Sequence, residues 1–172
     1  MEGGRRGVPS VEAVLPVLIG EAPSKAGDRF HNLPLSGPPA RVLCRLAGIP
    51  AQDEGSPWGQ WTWALYEHFE CCNLIKRYKD AEPWSVPRAR VRAVQLLQKE
   101  DLGRRIVVLL GARVAAAFGH QDKTGWFMWH EHPFEHVVIP HPSGRNRALQ
   151  VPAVRALTGD ALRHAMERAA SR

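Results

Sequence analysis

Two patterns alternate along the chain: short, nearly continuous apolar runs, and longer stretches whose apolar positions recur at helical spacing. Residues 13–19 (AVLPVLI), 69–75 (FECCNLI), 105–111 (RIVVLLG) and 136–141 (HVVIPH) are of the first kind. Their length and aliphatic content predict four strands. Pro16 weakens the first, because proline removes a donor from a sheet ladder. The third is apolar throughout, as expected of a strand covered on both faces of a parallel sheet.

The second kind fills the intervals. ARVLCRLAGI (40–49) predicts a short helix, with Pro39 suited to its first position and Gly48 to its end. PRARVRAVQLLQKE (87–100) predicts another, with Val91, Val94 and Leu97 on one side and arginines elsewhere. ARVAAAFG (112–119) follows the third strand as a helix. VPAVRALTGDALRHAMERAA (151–170) closes the chain, with Val154, Leu157, Ala161, Leu162, Ala165 and Met166 at helical spacing and Pro152 near its start. Residues 20–39 form a long Gly-, Pro- and Ser-containing loop. Residues 50–68 hold Trp58, Trp61 and Trp63, half of the six tryptophans, at a spacing that fits neither a clean helix face nor a full strand alternation.

This alternation predicts an α/β fold: a three-layer α/β/α sandwich around a central four-stranded parallel sheet. Ligands of such sheets sit beyond the carboxyl ends of the strands. Gly20 to Pro23, Asn73 and His141 all fall there, so three polar segments converge on one crevice.

Composition narrows the chemistry. A chain of 172 residues with 44% hydrophobic content suits one domain, with residues 1–12 as a loose lead-in. The formal net charge of +6 favours an anionic partner, nucleic acid ahead of a membrane surface. The three cysteines, two of them the adjacent pair Cys71-Cys72, form neither a disulfide framework nor a C-x-x-C metal signature. No signal peptide or membrane span is expected, and the expected compartment is the reducing cytoplasm. Neither G-x-G-x-x-G nor a Walker loop is present. His132 to His136 (HPFEH) matches the zinc-protease pattern H-x-x-E-H. Pro133 and the strand-like run after His136 oppose the helix that this pattern needs. A polar loop entering the fourth strand is expected there, with no metal ligands.

Five segments taken together resemble the uracil-DNA glycosylase superfamily. LIGEAPS (18–24) resembles its first motif, closest to the GEAPG form of the iron–sulfur branch. NLPLSGPPARVL (32–43) resembles the segment that follows. CCNLIKRY (71–78) resembles the strand that carries a base-reading Asn. VVLLGARVAAAFG (107–119) resembles the third strand and its helix. IPHPSGRNR (139–147) resembles the second active-site motif, built on His-Pro-Ser. The resemblance implies a uracil-DNA glycosylase-like fold and a monofunctional DNA glycosylase, which flips a base out of DNA and hydrolyses its N-glycosidic bond.

By that resemblance His141 would donate to the base carbonyl as it becomes anionic. Glu21 would position or activate water, or stabilise the cationic sugar. Asn73 would read the pyrimidine edge, with Ala22, Ser24, Leu35 and Phe30 around the base. Pro23, Ser143, Gly144, Arg145 and Arg147 would face DNA, with Arg145 as wedge or phosphate clamp. DNA is the expected partner and a monomer the expected state. No cofactor is expected: the iron–sulfur branch needs four cysteines, and its N-terminal pair is absent. No lysine is placed for lyase chemistry.

Three departures bear on the substrate. Leu35 stands where an aromatic residue would stack on the base. Ser24 stands where the best-known branch has a tyrosine that blocks substituents at carbon five of the pyrimidine. The tryptophan-bearing segment 50–68 is longer than the usual connection and is a candidate lid or DNA-contacting surface. The first two imply a roomier pocket, for uracil or for a bulkier C5-modified pyrimidine such as hydroxymethylcytosine or its glucosylated form in phage DNA. The competing reading is a DNA-binding module that kept the fold without turnover.

Overall fold

The computed structural model describes residues 14–22, 33–50, 58–75, 84–99, 102–143 and 146–172. The expected lead-in at 1–12 lies outside them. Five strands form one sheet: β1 (Val17–Gly20), β2 (Glu70–Asn73), β3 (Val107–Leu110), β4 (Trp129–His130) and β5 (His136–Ile139), in the spatial order β2-β1-β3-β5-β4. The first strand starts after Pro16, whose carbonyl accepts the Glu70 N–H at the sheet margin. Proline thus marks the strand's beginning rather than interrupting it.

The sheet differs from the expected four parallel strands by one. β2, β1, β3 and β5 are parallel, and β4 adds an antiparallel edge. A two-residue strand is too short to carry an alternation, so no pattern in the sequence announces it.

Side chains alternate across the sheet with period two. Leu18, Val108, Leu110, Val137 and Ile139 face one core, against α1 (Pro38–Ala47), α2 (Trp58–His68) and α5 (Pro152–Ala170). Val17, Ile19, Val107, Leu109 and Val138 face the other, against α3 (Val86–Lys99) and α4 (Ala112–Ala117). The three expected layers are present. Every residue of β1, β3 and β5 is buried, the reason that these strands read as unbroken apolar runs.

Two helix readings need correction. In α3 the buried stripe is Ala89, Ala93 and Leu96, while Val91 and Val94 are exposed. The small alanines let α3 approach α4 and the sheet closely, so packing follows size rather than the valine spacing. The tryptophan segment contains a helix, α2, that packs on α1. Trp61 is buried and Trp63 is 60% exposed, so α2 braces the core through Trp61 and presents Trp63 at the surface. Residues 51–57 lie outside the described chain. Among the described residues no helix is long and apolar enough to cross a membrane.

Candidate active site

The sheet reverses its winding at β1, which lies between β2 and β3. A crevice is expected at the carboxyl ends of these strands. Gly20 ends β1 in register with Asn73, the last residue of β2. A Cβ on Gly20 would lie 2.4 Å from Asn73 Oδ1 and 2.6 Å from Leu35 Cδ2. A side chain at Gly20 would therefore displace the Asn73 amide and the Leu35 side chain, which close over the strand end.

Asn73 is 6% exposed, and neither its Oδ1 nor its Nδ2 has a hydrogen-bond partner among the described residues. A buried, unpaired amide costs about 1–3 kcal/mol. Such a cost is tolerated where a ligand supplies the missing partners.

Leu35 is buried and has φ 53°, a left-handed conformation unusual for a residue other than glycine. Helix α2 holds it there. The Tyr66 hydroxyl donates to the Pro34 carbonyl at 2.5 Å, and the Gly37 N–H donates to Thr62 Oγ1 at 3.1 Å. The turn before α1 is thus pinned on both sides of Leu35.

The opposite wall is built on β3 and β5. Gly111 follows β3 with φ 90° and ψ 165°, a region essentially restricted to glycine. A Cβ there would lie 2.8 Å from the Cβ of His141. Gly111 also donates its N–H to the Ile139 carbonyl at 2.8 Å. Beyond His141 the chain is tied back on itself. Asn146 Nδ2 donates to the His141 carbonyl at 2.9 Å, Asn146 Oδ1 accepts from the Ala148 N–H, and the Ser143 N–H donates to the His141 carbonyl. Burial pushes the His141 imidazole below its ordinary pKa, while the nearby Glu21 carboxylate acts in the opposite direction. His141 is therefore neutral at neutral pH, and its ring carries one N–H donor.

Glu21 leaves β1 on the same rim. Its Oε1 lies 2.7 Å from the Arg113 guanidinium, and Arg113 in turn lies over the Trp84 ring. The Glu21 carbonyl accepts the Ile75 N–H and the Gly20 carbonyl accepts the Leu74 N–H, so β1 and β2 stay joined past their ends.

A family model described as the uracil DNA glycosylase superfamily matches residues 13–165. The chain belongs to this superfamily. Its members are DNA glycosylases, and DNA is what they act on. A comparison with curated proteins found no match.

Asn73 on β2 and His141 after β5 stand at the same end of the sheet, with β1 and β3 between them. At about 4.8 Å per strand, their two strands lie about 14 Å apart. Ala22 lies half-buried beside Glu21, Ser143 lies half-buried after His141, and Arg147 is exposed in the 3₁₀ turn Arg147–Gln150. Ser143 and Asn146 border a groove of about 230 Å³ that also takes in Arg45 and Arg155. Pro23, Ser24, Phe30, Gly144 and Arg145 lie outside the described residues.

Sequence reasoning missed three residues of this candidate site. Gly111 ends the apolar run 105–111 with no further signal. Arg113 was an unremarked arginine one turn later. Asn146 stood between two arginines without a role. Asn146 carried a local signal, since a short polar side chain ahead of a turn caps it. The other two act through partners far away in sequence.

Proposed function

We propose that this protein is a monofunctional DNA glycosylase that turns a pyrimidine out of DNA and hydrolyses its N-glycosidic bond, leaving an abasic site. The observation that carries the reading is Asn73: a buried side-chain amide whose donor and acceptor are both unpartnered among the described residues, at the same end of the sheet as His141. A pyrimidine edge offers the complementary pair. The amide presents either end according to its flip, so it suits a uracil or a cytosine-type edge.

The bond breaks with positive charge developing on the sugar and negative charge on the leaving base. Neutral His141 donates its N–H to the base carbonyl as that charge grows, a contact stronger in the transition state than in the ground state. Glu21, held by Arg113, positions the attacking water and stabilises the cationic sugar. Pro23, Ser143, Gly144, Arg145 and Arg147 contact the DNA backbone, with Arg145 as wedge or clamp.

Family membership points to uracil. Leu35 points to a bulkier base: an aliphatic side chain against Asn73 and Gly20 forgoes base–aromatic stacking of about 1–3 kcal/mol, and the small Ser24 would leave room for a carbon-five substituent. A C5-modified pyrimidine, hydroxymethylcytosine or its glucosylated form in phage DNA, fits that wall. Release of glucosylated hydroxymethylcytosine would give the protein a role in defence, and release of uracil a role in repair.

A panel of single- and double-stranded oligonucleotides carrying uracil, hydroxymethylcytosine or glucosylated hydroxymethylcytosine tests this, read as free base and abasic site. Uracil release alone removes the modified-base assignment. Release from none of the three, with DNA binding intact, leaves a binding module.

A further inference from the structure

At the far end of β5 from His141, three histidines from three separate segments meet. His136 opens β5, His130 pairs with it across the antiparallel β4–β5 ladder, and His120 follows α4. One ring nitrogen of each lies within 4.8 Å of the other two. The His130 and His136 rings stack at 4.9 Å, and His120 meets both edge-on at 4.9 and 5.0 Å. His132, the other histidine of the H-x-x-E-H match, is exposed and is not part of the group.

We infer that His120, His130 and His136 form a zinc-type metal site that clamps the edge strand β4 to β5 and to the segment after α4. The chemistry of the donors supports this. Imidazole nitrogen is the commonest ligand type for Zn²⁺, which takes tetrahedral sites with Zn–N distances of about 2.0–2.1 Å. Two nitrogens on one such ion stand about 3.3 Å apart. The observed set brackets that edge: His120 Nε2 and His136 Nε2 are 2.8 Å apart, and the whole group spans no more than 4.8 Å.

The surroundings are those of a ligand set as well. His136 Nδ1 lies 2.8 Å from the Phe134 carbonyl. That bond fixes the proton on Nδ1 and leaves the Nε2 lone pair directed at the cluster, as in oriented metal-binding histidines. Phe134 stacks on His136 and is backed by Phe118, giving the site an apolar shell. Gly125 has φ 86° and a Cβ on it would lie 3.4 Å from the His130 ring, while its carbonyl lies 3.4 Å from His130 Nε2. Without metal, the His120 Nε2–H donates to His136 Nε2. Metal binding replaces that hydrogen bond and shifts the His120 proton to Nδ1. A water completes the coordination on the half-exposed side.

The clamp is separate from base excision. His136 and His141 are five residues apart along an extended segment, about 16 Å. Its test is therefore independent of the glycosylase reading.

Tag-free full-length protein is stripped with chelator and titrated with ZnCl₂ and, separately, CoCl₂. The inference predicts uptake of one ion per chain and tetrahedral Co²⁺ d–d absorption without a sulfur-to-cobalt charge-transfer band. It also predicts a rise in Tm of about 5–10 °C at a hundredfold excess of Zn²⁺ over Kd. His120→Gln and His130→Gln each lose the uptake and the Tm rise, and keep the far-UV spectrum of the apo protein. No stoichiometric uptake by the unmutated protein overturns the inference. So does a thiolate band, which assigns the ion to Cys71 and Cys72, or unchanged uptake in both variants. The spectrum of the unmutated protein decides the matter even if a variant fails to fold.

Discussion

Gly111 and His141 are in close approach: a Cβ on the glycine would lie 2.8 Å from the Cβ of the histidine. The contact sets where the imidazole stands at the mouth of the sheet. Gly111→Ala adds that Cβ and forces a backbone conformation that costs about 1–3 kcal/mol in a residue other than glycine. The expected outcome is a lower Tm together with a fall in single-turnover base release of about 100-fold, the scale of a 1 Å misplacement. Thermal melts and quenched-flow assays on one preparation measure both. Unchanged base release would show that the contact does not position His141.

Asn73 links stability and function with opposite signs. Replacing its unpaired buried amide by the near-isosteric Asn73→Leu removes a desolvation cost and is expected to raise stability by about 1–2 kcal/mol in urea unfolding. The same substitution is expected to lower base release at least 100-fold, as for the loss of one preorganised donor. Loss of stability with full activity would mean that the amide has partners within the protein.

The pH dependence follows from His141. Its pKa is lowered from 6.5 mainly by burial, and Glu21 acts to raise it. The neutral donor form therefore persists below pH 6.5, and the acid break in kcat/KM falls below that value. For stability the sign runs the same way. The unfolded state binds the proton first as pH falls past 6.5, so this contribution is complete above the unfolded pKa and is lost as pH falls toward the folded one. Glu21→Gln removes the opposing attraction and should move the break further down. NMR titration of the His141 ring and pH–rate profiles of both proteins check it. A break above 6.5 contradicts the reading.

Arg113 positions Glu21 from the rim. The pair is substantially exposed, so Arg113→Ala is expected to cost less than about 1 kcal/mol of stability. It is expected to lower kcat several-fold with KM little changed, and Arg113→Lys to restore part of the loss. A change in KM alone would instead place Arg113 on the DNA.

The parallel strands were legible because both of their faces are buried, which leaves a continuous apolar run. The placement of Gly20, Asn73 and His141 at one end of the sheet was legible for a related reason: all three end or follow parallel apolar runs. Helix α2 was hidden because it carries an inward Trp61 and an outward Trp63, which blurs a helical stripe. In α3 the valines drew attention that belonged to smaller alanines. Gly111 and Arg113 were opaque because their roles lie in contacts with His141 and Glu21, 30 and 92 positions away. The histidine cluster was half visible. The tract from His130 to His136 is dense in sequence, but the third member, His120, joins it through the fold.

The most direct measurement is single-turnover base release by the unmutated protein and by His141→Ala, on oligonucleotides carrying uracil, hydroxymethylcytosine or glucosylated hydroxymethylcytosine. The account predicts release of at least one base, with an abasic site left behind. It predicts a loss of about 100-fold or more in the variant, with DNA affinity retained. Equal rates for the two proteins, or no release by the unmutated chain from any of the three, would contradict it.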